Sequence, residues 1–73
     1  MKTIFDYSRL LGKIKEKCNT QEIFAKQMRM SRTSLSKRLN NQMYFSQDEI
    51  IRACKILNIS DADIPLYFFT VKV

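Results

Sequence analysis

Histidine, the side chain best suited to proton transfer near neutral pH, is absent from the 73 residues. The two cysteines, Cys18 and Cys54, cannot complete a zinc-ligand set without it. Asp48 with Glu49 and Asp61 with Asp63 are the carboxylate pairs that acid–base chemistry would use. Each pair sits where a helix start attracts negative charge, so capping is their expected role. Gly12 is the only glycine, which excludes a glycine-rich phosphate cradle. No catalytic set, metal site or cofactor is expected, and the chemistry that remains is recognition.

The residues best placed for recognition lie between 32 and 40. On a helical wheel Leu35 and Leu39 define a buried side, and Thr33, Ser36, Lys37 and Asn40 gather opposite, with Arg32 at the edge near the N-terminus. These residues also make an ordinary solvated face, but they have the donors and width that the DNA major groove accepts, where Arg or Lys donates to guanine O6 and N7. Charge points the same way. Thirteen Lys and Arg against seven Asp and Glu give +6. Residues 1–44 hold ten basic side chains and three acids, net +7, whereas residues 45–73 hold three and four, net −1. A positive half of this kind faces a polyanion: nucleic acid, anionic lipid or an acidic protein surface. The basic residues are spread over several short helices, which disfavours a membrane surface. No run reaches the length of a membrane span, and the start turns charged before any signal-peptide core. With at most one possible disulfide, a reducing compartment, the cytoplasm, is expected.

The elements that position this face are short helices in a single domain, 1–73. Tyr7, Leu10, Leu11, Ile14 and Cys18 form one stripe of a first helix that Asp6 can cap. Thr20 caps a second, from Gln21 to about Met28, and Ser31 a third over residues 32–40, so that 20–40 reads as a helix-turn-helix. Ser46 and Glu49 make a capping box, with Phe45 and Ile50 as its hydrophobic staple, for a fourth helix ending at Leu57 and a left-handed Asn58. Pro65 argues against a long fifth helix. Residues 66–73 favour an extended segment that either packs back on the helices or pairs its backbone with another chain. The fold class is therefore all-α, four to five short helices with an extended tail. Its core is expected from Leu10, Leu11, Ile14, Phe24, Ala25, Met28, Leu35, Leu39, Ile50, Ala53, Cys54 and Leu57.

Residues 21–40 resemble the helix-turn-helix of phage repressors and Cro proteins, the lambda-repressor-like family. Gln21, Ala25, Met30 and Leu35 match its pattern without a gap, and Tyr67, Phe68 and Phe69 resemble the aromatic ending of small Cro-like phage proteins. The resemblance implies base contacts from Arg32, Thr33, Ser36 and Lys37, and phosphate contacts from Gln21, Ser31, Asn40 and Asn41. Two positions depart from it. Arg29 stands where the turn usually has Gly, at a cost of about 1 kcal/mol if its backbone is left-handed. Arg38 stands at an apolar position, where its stem must cross the core to water or pair with an acid such as Glu22.

Two functions follow. The first is a Cro-like phage regulator that binds double-stranded operator DNA through residues 32–40, as a homodimer on a two-fold site. The alternative is an antirepressor or modulator that binds the phage's main repressor. It would use the same fold and the tail, with Leu66, Tyr67, Phe68, Phe69 and Val71 as interface candidates, and the two departures from the motif favour it.

Overall fold

Four helices and two short terminal turns account for most of the computed structural model, which describes residues 2–73. Helix α1 is Ser8–Cys18, α2 Gln21–Gln27, α3 Arg32–Leu39 and α4 Gln47–Leu57; a 3-10 turn at Asp61–Asp63 leads into α5, Ile64–Phe68. The caps follow the local chemistry of the sequence. At α1 the cap position falls on Tyr7, which makes no side-chain cap, and Asp6, one residue before it, accepts from the Ser8 amide at 2.9 Å. Thr20 and Ser31 accept from Ile23 and Ser34 at 3.2 and 3.0 Å. At α4 both halves of the capping box are present: Ser46 Oγ accepts from the Glu49 amide at 3.2 Å, and Glu49 Oε1 from the Ser46 amide at 2.8 Å.

Helices α2, α3 and α4 each end through a left-handed residue: Arg29 at φ 59°, Asn41 at 63° and Asn58 at 57°. In each case the next amide reaches back five residues, Met30 to Ala25, Gln42 to Lys37 and Ile59 to Cys54, at 2.8–3.0 Å. This closes the carbonyls that a helix end leaves open. Arg29 is therefore left-handed, as the comparison with a glycine position anticipated.

The core is wider than the helical stripes. Leu10, Ile14, Phe24, Ala25, Met28, Leu35, Ala53, Cys54 and Leu57 are buried as expected, but Leu11 is exposed, and Leu39 and Ile50 are half-buried. Tyr7, Cys18, Phe45, Ile59 and Phe68 complete the buried set.

The expectation of an extended segment over 66–73 is corrected at its start, because Leu66, Tyr67 and Phe68 are helical. Strand propensities differ by only about 1 kcal/mol, whereas full burial of a Phe side chain is worth roughly 1.5–3 kcal/mol. The turn of α5 buries Phe68 to 2% exposure. Pro65 lies in the first turn, where its missing amide proton costs no hydrogen bond. Beyond α5 the chain does extend, and it pairs with its own N-terminal segment. Phe5 and Val71 form an antiparallel bridge, with the Asp6 amide on Thr70 O at 2.7 Å and the Lys72 amide on Ile4 O at 2.9 Å.

Candidate functional site

Helix α3 presents Arg32, Thr33 and Lys37 to solvent, with Ser36 half-buried between them. Together with Gln42 these side chains line a shallow hollow of about 360 Å³. Its position is set by what lies behind it. Leu35 is fully buried, and Arg38 turns away to form a two-point ion pair with Glu49, Nε to Oε1 at 2.9 Å and Nη2 to Oε2 at 3.0 Å. Arg38 Nη1 also donates to Ser34 O at 2.9 Å. The partner of Arg38 is thus Glu49 on α4 and not Glu22, which corrects the expectation from the sequence. Burial pushes the Glu49 carboxyl up, but the hydrogen bonds from Arg38 and the Ser46 amide outweigh it and hold the group below its ordinary range.

The eight residues that the resemblance implicated in DNA contact divide into two groups. Arg32, Thr33, Ser36 and Lys37 come together in the α3 hollow. Gln21 lies in a neighbouring hollow that Arg32 also lines. The other three side chains make hydrogen bonds within the chain, Ser31 and Asn40 at the surface and Asn41 half-buried. Ser31 caps α3 and lies 3.0 Å from the Ser34 hydroxyl. Asn40 Nδ2 donates to Ser36 O at 2.9 Å and to Ser36 Oγ at 3.2 Å. Asn41 accepts from the Phe5 amide at 2.8 Å and donates to Phe5 O at 3.0 Å, gripping both polar groups of one residue.

A second surface lies where residues 3–7, the α3–α4 loop and α5 meet. Phe5, Tyr7, Tyr44, Phe45, Phe68 and Phe69 surround an apolar cleft of about 440 Å³. Their rings pack mainly edge to face: Phe5 on Tyr44 at 5.7 Å and on Phe69 at 5.9 Å, Tyr7 on Phe45 at 5.7 Å, Phe45 on Phe68 at 5.4 Å. Of the five interface candidates from the tail, Leu66, Phe69 and Val71 are exposed, and Tyr67 is half-buried with the Lys13 ammonium 5.9 Å from its ring centre. Phe68 is interior and contributes only from beneath. Sequence reasoning missed Phe5 and Tyr44, whose placement depends on contacts across about forty residues. The adjacent aromatics Tyr44 and Phe45, in a link otherwise read as polar, were the available signal.

Burial pushes both cysteine thiols up, making them poor nucleophiles. Among the described residues no helix is long and apolar enough to cross a membrane.

The class of the protein follows from its near full-length match, over residues 3–71, to the model of a family of proteins of unknown function, DUF739, to which the chain belongs. Among solved structures it is similar to the modulator of repression (MOR) of the temperate bacteriophage TP901-1 from Lactococcus lactis. The two are 48% identical over 94% of this chain and 93% of that one, with a TM-score of 0.82. No curated protein matches the chain. The solved relative is named as a regulatory modulator, and no enzymatic family is indicated.

Proposed function

We propose that this chain is a phage modulator of repression that acts by binding the phage's main repressor protein in the bacterial cytoplasm. The observation that carries the reading is the 48% identity to a modulator of repression along almost the whole of both chains. The surface agrees with it. Tyr44, Leu66, Phe69, Val71 and Ile4 are all large apolar residues at 40–56% exposure. Of these, Tyr44 and Phe69 line the aromatic cleft, and half-exposed aromatic side chains at a preformed cleft suit the anchoring of a protein partner. A DNA reader would use such a surface only to join two copies, since its affinity for DNA comes mainly from phosphate contacts.

The test is a competition experiment: repressor on labelled operator DNA, with this protein added across a salt series. Under this reading it removes or alters the bound repressor, has no operator preference of its own, and loses affinity for repressor when Phe69 is replaced by Ala. A hundredfold preference of the protein alone for operator over scrambled duplex, with no binding to repressor, overturns it. That result would support a homodimeric Cro-like reader using Arg32, Thr33, Ser36 and Lys37, a reading favoured by the unpaired cations Arg32 and Lys37 on the α3 face.

A further inference from the structure

Residues 4–6 and 70–72 form a two-stranded ribbon whose two edges differ. Phe5 and Val71 are bridge partners, and the hydrogen bonds between the segments come from their neighbours, Asp6 to Thr70 and Lys72 to Ile4. In an antiparallel pair of that kind the two bridged residues direct their own N–H and C=O away from each other. At Phe5 both outward groups are taken by the carboxamide of Asn41, one oxygen accepting and one nitrogen donating, as a third strand would do. At Val71 the equivalent N–H and C=O have no partner among the described residues. The ribbon is closed on one edge and open on the other.

The open edge has two chemically distinct faces. Bridge partners share a face of a ribbon, so Val71 lies on the side of Phe5, whose ring packs against Phe69 and Tyr44. Val71 is 56% exposed and Phe69 49%. Thr70 and Lys72 alternate to the opposite side. Lys72 is the only charged side chain after Asp63, and the chain as a whole is +6. A second copy pairing here through the same edge would offer Lys72 no acidic side chain, since residues 64–73 hold none. A strand with apolar residues over Val71 and a carboxylate toward Lys72 complements both faces.

We propose that the Val71 edge of the terminal ribbon takes up an extended, acidic-flanked segment of the partner repressor as an added strand. The inference rests on the function proposed above and assigns the way in which the partner is held. The added strand would exchange two backbone hydrogen bonds with Val71, a form of recognition in which main-chain groups supply affinity and alternate side chains supply specificity.

Amide hydrogen exchange on the full chain, free and with the phage's main repressor, tests it. The Val71 amide is expected to exchange fast in the free protein and at least tenfold more slowly in the complex, while the Phe5 amide stays protected in both. Val71→Pro removes the outward donor but leaves the Asp6–Thr70 and Lys72–Ile4 bonds, and is expected to weaken repressor binding tenfold or more. Val71→Thr keeps the donor and is expected to bind within threefold of the parent. If repressor binds but Val71 stays unprotected, the added strand is wrong and the modulator reading stands, whether or not Val71→Pro folds. Protection of Val71 in the free protein that rises with its concentration assigns the edge to a second copy and also overturns the proposal. If repressor fails to bind at all, both readings fall.

Discussion

Replacing Arg38 with Met removes the ion pair that joins α3 to α4 while keeping a stem of similar length. Its magnitude can be bracketed. Breaking a fully buried pair by deleting one partner costs about 3–5 kcal/mol, and an exposed pair is worth about 0–1 kcal/mol. The side chains here are 14% and 16% exposed, nearer the first case. Solvent still reaches the carboxylate, however, and Glu49 keeps the Ser46 amide as a partner. A loss of about 2 kcal/mol is expected, and at about 4–8 °C per kcal/mol for a domain of this size Tm should fall by roughly 10 °C. The double variant Arg38→Met, Glu49→Gln strands no charge and should recover a good part of that loss. Urea and thermal denaturation followed by circular dichroism measure all of these. A single-variant loss under about 0.5 kcal/mol would refute the argument that this pair, not the burial of Leu35 alone, fixes α3 against α4.

The same pair sets a dependence on pH. Glu49 titrates below its ordinary value of 4.5 in the folded protein. Its contribution is therefore complete above the unfolded value and is lost as pH falls through the folded one. Melting temperature should drop more steeply below pH 4.5 in the parent than in Arg38→Met; parallel profiles would exclude Glu49 as the cause. Arg29→Gly relieves a left-handed backbone at φ 59° and should raise stability by about 0.5–1 kcal/mol in a urea midpoint, with an unchanged slope. Asn41→Ala removes both hydrogen bonds to Phe5 and puts Ala at φ 63°, for a loss of about 2 kcal/mol and faster exchange of the Phe5 amide. An unchanged Phe5 exchange rate would mean that Asn41 does not close that edge.

The helices were legible where their signals were local. Ser46 and Glu49 lie three residues apart, so the capping box that starts α4 is written within one turn, and Asn58 stops it as its type suggests. The α3 hollow was legible for the same reason: Arg32, Ser36 and Lys37 fall on one face once Leu35 is turned inward. Long-range choices were not. Glu22 and Glu49 are both acids that Arg38 could reach on sequence grounds, and only the fold, which sets α3 on α2 and α4 on α1, brings Glu49 to it. The tail misled because β-branched and aromatic residues favour a strand locally, while burial of Phe68 outweighs that preference and winds the segment into α5. The strand that pairs with the rest of the tail, residues 4–6, has too short a pattern to announce itself.

Why a chain that resembles a DNA reader would act as the modulator proposed above can be argued from where its polar side chains are used. In the resemblance, Ser31, Asn40 and Asn41 stand at phosphate-contacting positions. Here Ser31 is committed to the α3 cap, Asn40 to Ser36 and Asn41 to Phe5. Phosphate contacts supply most of the sequence-independent affinity for DNA, and each one lost weakens binding across all sequences. A face left with Arg32, Thr33, Lys37 and Gln21 can still meet anions, but with fewer anchors. Asn41 has meanwhile become the brace of the terminal ribbon beside the aromatic cleft. The carboxamide withdrawn from the α3 side is the one that closes the ribbon's inner edge, so its engagement weakens the DNA reading and supports the protein-binding surface in one step.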